Sequence, residues 1–258
     1  VMYKKGESKQ PYRIDEFLIA DKQIQTLMPE LLDKLKGNQE LRKKLFQVEF
    51  LTTLSGQKLI TLIYHRQVGD EWIEEAKKLE AELDVMIIGR ARKLHHVLTQ
   101  DYVEETLSVI NNTYTYKQIE GGFTQPNAKV NQHMINWACS QSEGIGGDLL
   151  ELYCGNGNFT LPLSTKFEKV LATEISKTSV RAAEYNIEKN DIQNIRVARL
   201  SSEEFTEISH KRKETRRMPF EELNEYSIPV MVKIGFETQT YGLVERIFPI
   251  IAVTYKPK

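Results

Sequence analysis

Two glycines and a downstream acid stand in an order that could hold a nucleoside. Residues Gly147 to Glu174 read GDLLELYCGNGNFTLPLSTKFEKVLATE. Leu149, Leu150 and Leu152 make an apolar run short enough for a buried strand. The turn Cys154-Gly155-Asn156-Gly157-Asn158 follows, and Phe159, Leu161, Leu163 and Phe167 then recur at roughly helical spacing. A second apolar run, Val170-Leu171-Ala172, ends on Glu174. Strand, glycine turn, helix, strand and acid is the order of a nucleotide-binding βαβ unit. Gly155 and Gly157 allow a tight turn and close approach of a ligand, and the helix start behind them is expected to offer unpaired amides. Glu174 lies nineteen positions after Gly155, close to the ~20-residue offset at which an acid meets ribose hydroxyls. Thr160 occupies the place of a third glycine, which disfavours a pyrophosphate cradle and hence an NAD-type oxidoreductase. A cofactor with a ribose and no phosphate fits better, and S-adenosylmethionine (SAM) is the candidate. The bland alternative is a glycine-rich βα turn in an α/β protein that binds no nucleotide.

Other residues able to do chemistry are few. Leu94-His95-His96 is the one local histidine pair, but neighbours on a strand point to opposite faces and no acid or cysteine lies at a ligand-like spacing. No metal site is expected. Cys139 and Cys154 fall in different predicted elements, which suggests a reducing compartment without a disulfide framework. Ser209 to Arg217, SHKRKETRR, is strongly basic and reads as a solvated loop rather than a dedicated phosphate contact.

The elements that position these residues follow from periodicity. The 258 residues carry a net charge of −1, with 40% apolar and 28% charged residues, a soluble globular balance. No run approaches the ~20 apolar residues that span a bilayer, and the start is not a signal peptide. Asp21 to Lys36 has helical spacing closed by Gly37-Asn38. Phe46 to Leu51 alternates like a half-buried strand, and Lys58 to His65 returns as its hairpin partner. Asp70 to Leu83 is an amphipathic helix with Trp72, Ile73, Ala76, Leu79 and Leu83 inward, and Val85 to Ile88 is a short strand. Tyr114 to Gln118 reads as a strand running into Gly121-Gly122-Phe123-Thr124-Gln125-Pro126-Asn127. A helix follows whose apolar face is Val130, Met134, Ile135, Trp137 and Ala138. Beyond Glu174, Ser179 to Lys189 is helical and Ile195 to Ala198 is a third strand. Ile228 to Ile234 and Ile250 to Tyr255 are further strands, and Tyr241 to Arg246 is helix-like. Strands alternating with helices predict a parallel sheet, short of a complete seven-stranded one. The boundary is expected near Gly121: a small α+β domain over 1–120, then a Rossmann-like domain over 121–258.

Three segments together carry a family resemblance: Phe46-Gln-Val-Glu-Phe-Leu-Thr-Thr-Leu-Ser, Phe123-Thr-Gln-Pro-Asn and Leu150-Glu-Leu-Tyr-Cys-Gly-Asn-Gly-Asn-Phe. The chain resembles the bacterial tRNA (uracil-5-)-methyltransferases, densely from about Arg13 to Thr206. The resemblance implies an α/β fold with a SAM-dependent methyltransferase domain after an RNA-binding domain that begins before this chain does. It implies a cytoplasmic, monomeric enzyme, without metal, that methylates the T-loop uridine in the T-arm of tRNA. It also implies that Gln125, Tyr153, Gly155, Asn158 and Glu174 hold SAM. In that family a cysteine thiolate adds to carbon 6 of uracil, carbon 5 then attacks the methyl group, and a glutamate removes the proton. The expected Asp-Pro-Pro segment and Ser-Cys-Asn-Pro turn are missing here: Val232-Lys233-Ile234 and Thr254-Tyr255-Lys256-Pro257 stand in their places. No catalytic residue is assigned, Cys154 reads as a packed thiol, and a catalytically impaired tRNA-binding relative is the alternative.

Overall fold

The computed structural model of the chain describes residues 2–3, 6, 11–12, 16–201, 230–239 and 246–255, the strands among 2–12 and 230–255 by their backbone. The chain divides into two compact units, Val1–Val103 and Glu104–Lys258.

In the first unit, β1 (Met2–Tyr3) and β2 (Pro11–Tyr12) pair antiparallel. Helix α1 (Lys22–Gly37) starts where the Asp21 carboxylate accepts from the Gln23 amide at 2.8 Å, an N-cap that satisfies an otherwise orphaned donor. Its buried residues, Leu27, Leu31 and Leu35, recur at one-turn spacing. The short α2 (Gln39–Arg42) leads to β3 (Leu45–Thr52) and β4 (Lys58–Tyr64), an antiparallel hairpin. Helix α3 (Asp70–Leu83) crosses to β5 (Met86–Ala91), parallel to β4, and β6 (Leu94–Val97) closes a sheet of order β3-β4-β5-β6. Trp72, Ala76 and Leu79 are the buried residues of α3. A Cβ at Gly89 would overlap the Trp72 ring, so glycine on β5 is what lets the helix sit this close. The Trp72 indole N–H donates to Tyr64 Oη at 2.8 Å, and that hydroxyl donates to the Leu41 carbonyl at 2.8 Å.

The expected alternation of β3 fails at its start. The register shifts between Leu45 and Gln47, which turns Phe46 to solvent at 62% exposure. The expected opposition of the two histidines holds: along β6 His95 is exposed and His96 is half-buried.

The second unit takes in all but the first two residues of β7 (Tyr102–Val109), which forms a two-stranded sheet with β8 (Asn112–Ile119). This pair therefore groups with the part that the sequence reading began near Gly121, and β7 itself was not anticipated. Helix α4 (Ala128–Gln141) follows, N-capped by Asn127, whose side chain accepts from the Val130 amide at 3.0 Å. Then come β9 (Asp148–Leu152), the single turn α5 (Thr160–Leu163), a 3-10 turn (Ser164–Lys166), β10 (Lys169–Thr173), α6 (Lys177–Lys189) and β11 (Ile195–Ala198). Strands β12 (Val230–Gln239) and β13 (Arg246–Tyr255) complete a five-stranded sheet of order β11-β10-β9-β12-β13. The first four are parallel neighbours and β13 is antiparallel on β12. All five residues of β9 are buried, as expected for the centre of a covered parallel sheet. Leu149, Val170 and Ile195 pack in one core with Ile135, Phe159 and Leu161.

Two expectations are corrected. The buried face of α4 is Asn131, Ile135, Ala138 and Cys139, while Val130 and Trp137 are 49% and 52% exposed; the capped start sets a rotation different from the apolar count. The helix expected through Phe167 is one α turn and one 3-10 turn. It is too short to make its N-terminus an anion site. The helix-like stretch before Arg246 and the basic run Ser209 to Arg217 lie outside the described residues. Among the described residues no helix is long and apolar enough to cross a membrane.

Candidate functional site

The carboxyl end of β9 turns on left-handed backbone. Tyr153 has φ +61°, Gly155 +59° and Gly157 +86°. Such a conformation strains a residue with a Cβ, and Tyr153 accepts it while holding its ring 46% exposed. The two glycines serve different ends. A Cβ at Gly157 would press into the Leu161 side chain, so there glycine permits packing. A Cβ at Gly155 would meet nothing within 4 Å; its surface is open, leaving room against the backbone.

Glu174, one residue past the end of β10, is half-buried and does not point into the core. Its Oε2 accepts from the Gly155 amide at 3.1 Å and its Oε1 from the Ser176 amide at 2.7 Å. The carboxylate therefore joins the two βα turns of the unit. Each oxygen keeps a further lone pair. The Gly155 amide is thus taken up by Glu174. Beside it Ile175 is 56% exposed, an apolar side chain left in solvent next to a fixed acid.

The rest of the turn is held by asparagines. Asn158 and Asn131 exchange two side-chain hydrogen bonds at 2.7 and 2.8 Å, and the Tyr116 hydroxyl donates to the Asn158 carbonyl at 3.1 Å. Asn186 of α6 donates to the Asn156 carbonyl at 2.8 Å and accepts from the Lys117 amide at 2.7 Å. The structure thus gathers Tyr153, Gly155, Asn158 and Glu174 on adjoining turns. Gln125 is connected to them through α4: it stands two residues before the cap Asn127, half-buried, with no hydrogen-bond partner among the described residues.

Sequence reasoning missed Glu151, Asn131, Asn186, Tyr116 and Ile175. Glu151 sits mid-strand on β9 at 1% exposure, with Oε2 unpartnered. Burial pushes its carboxyl up to about 8; the nearby Thr160 hydroxyl pulls the other way, by less. At neutral pH the group is a neutral acid. The signal available was a lone acid inside an apolar run. Burial likewise raises Cys139 to about 11 and Cys154 well above the ordinary thiol range, so neither is a ready thiolate. Cys154 is the packed thiol expected of it.

The model of the tRNA (uracil-5-)-methyltransferase family matches residues 1–258, extending past Thr206, where the dense resemblance was expected to stop. A tRNA/tmRNA (uracil-C(5))-methyltransferase of Saccharophagus degradans is 52% identical over 261 residues, covering 99% of this chain and 72% of its own. One from Neisseria meningitidis is 50% identical over 266 residues, covering 100% and 74%. Among solved structures, Pyrococcus abyssi tRNA (uracil-54, C5)-methyltransferase, in complex with S-adenosyl-L-homocysteine, is similar in fold, with a TM-score of 0.54 at 15% identity over 73% of this chain and 50% of that one. The α/β fold with a central parallel sheet, the whole-chain match and the relatives at about half identity agree: the chain belongs to the tRNA (uracil-5-)-methyltransferase family.

Proposed function

We propose that this protein is a SAM-dependent methyltransferase acting on carbon 5 of the T-loop uridine of tRNA, as a monomer in the cytoplasm. The observation that carries the cofactor half is Glu174, fixed by two backbone amides beside the open surface of Gly155. Its spare lone pairs suit the two hydroxyls of a ribose, Ile175 offers an apolar surface to the adenine, and Tyr153 and Asn158 flank the turn where the methionine end would lie. Gln125 would approach from the start of α4. When bound, SAM supplies an electrophilic methyl group.

The first unit supports the RNA half. The exposed Phe46 ring stacks on His65 at 4.2 Å between centroids and 19° between planes, and Lys43 and Lys44 beside it are exposed. An aromatic surface with adjoining cations suits an unstacked base and its phosphates. A target uridine must leave its stack to be methylated.

A second reading is a tRNA-binding relative without turnover: Cys139 and Cys154 are both buried with raised pKa, so neither is itself a ready nucleophile. A T-loop hairpin carrying 5-fluorouridine separates the readings. A covalent, methylated adduct formed with SAM supports methyl transfer. Salt-dependent hairpin binding without adduct supports the second reading. Loss of both SAM and hairpin binding overturns both.

A further inference from the structure

Asn131 lies on the buried face of α4 among Ile135, Ala138 and Cys139, at 4% exposure. Packing alone would favour an apolar side chain there. Its Nδ2 donates to Asn158 Oδ1 at 2.7 Å, and its Oδ1 accepts from Asn158 Nδ2 at 2.8 Å. A side-chain amide has two N–H groups and two lone pairs on oxygen. The reciprocal pair uses one of each on both residues. It also sets their orientation, because turning either amide over would bring oxygen against oxygen and N–H against N–H. The Asn158 carbonyl is tied separately by Tyr116, so backbone and side chain of the same residue are both held.

We infer that Asn131 is a positioning residue for the cofactor site, presenting the remaining N–H and lone pair of Asn158 to the methionine end of SAM in one orientation. This rests on the SAM reading above. Asn131 itself touches the turn from inside and is not a cofactor contact. The glycine turn is braced on its other side by Asn186, 0% exposed, through the Asn156 carbonyl. The turn as a whole would therefore stay in place when Asn131 is lost, and the orientation of one amide is what changes.

The test is titration calorimetry with SAM on the full chain, comparing the wild type, Asn131→Leu, Asn158→Ala and the double variant. Asn131→Leu is expected to weaken SAM binding about tenfold, the worth of one hydrogen bond. The double variant is expected to bind no more weakly than Asn158→Ala alone, which a purely structural role for Asn131 would not produce. Full addition of the two losses, or unchanged binding by Asn131→Leu, overturns the inference. Wild type that takes up no SAM overturns the cofactor reading with it. Should Asn131→Leu not fold, the wild-type Asn158 side-chain amide is followed by NMR: slow exchange and a shift on adding SAM support the inference, and fast exchange overturns it.

Discussion

The Trp72–Tyr64 pair of the first unit and the strand behind the glycine turn of the second treat buried polar groups differently. In the first, Trp72 and Tyr64 are large, buried and satisfied: indole to hydroxyl to Leu41 carbonyl, each at 2.8 Å. In the second, behind the glycine turn, Glu151 Oε2 and Thr160 Oγ1 are buried without a partner, and asparagines do the joining. A satisfied core contributes stability, whereas a core with unspent polar capacity is where function tends to be held at a cost in stability. The difference sets a satisfied aromatic pair apart from the neighbourhood of the candidate cofactor turn.

Trp72→Ala tests the first half of that contrast and should have the largest effect. It removes a fully buried ring and leaves Tyr64 without its donor, costing ~3–5 kcal/mol by denaturant unfolding. The second test is Glu151→Gln. The folded carboxyl titrates at about 8 against an ordinary value of 4.5. Stability from this group is therefore full below 4.5 and is lost as pH rises to about 8. The wild type should be less stable at pH 8 than at pH 5, and Glu151→Gln should flatten that slope by a few kcal/mol. A slope that Glu151→Gln leaves unchanged would show that Glu151 is not held protonated in the fold.

Glu174→Ala comes next. Losing the charged acceptor should weaken SAM binding by ~10- to 100-fold, as expected for hydrogen bonds to a charge, and should also lower stability by ~1–3 kcal/mol, because the Gly155 and Ser176 amides lose their acceptor. Phe46→Ala should weaken T-loop hairpin binding by ~1–3 kcal/mol and leave SAM titration unaltered. The smallest effect belongs to Lys34→Ala. It breaks an ion pair with Glu82 whose side chains are 48% and 51% exposed, and should cost less than ~1 kcal/mol.

Much of this was legible because period and punctuation reflect the same forces that fold the chain. Helices α1, α3 and α6 and strands β4, β9, β10 and β11 follow directly from apolar spacing, and Gly155 with Glu174 from their offset. What escaped depends on contacts distant in sequence. The one-residue shift that turns Phe46 outward is set by its pairing with β4. The face of α4 was misread because its key inward residue is polar, and Asn131 becomes intelligible only beside Asn158. β7 was missed although Val103, Leu107 and Val109 alternate along it, since Glu105, buried at 1%, breaks the apolar pattern from within.

Asn186 of α6 and its C-cap Asn190 have a consequence for solubility. A strand at the margin of a sheet offers amides and carbonyls that another chain can join, a route to aggregation. Along β8, Asn190 donates to the Thr115 carbonyl at 2.8 Å and accepts from the Thr115 amide at 2.9 Å, while Asn186 takes the Lys117 amide at 2.7 Å. Two side chains, one on a helix and one at its C-cap, thus imitate the hydrogen bonds of a missing neighbour strand, and at those residues the margin is closed to a foreign chain.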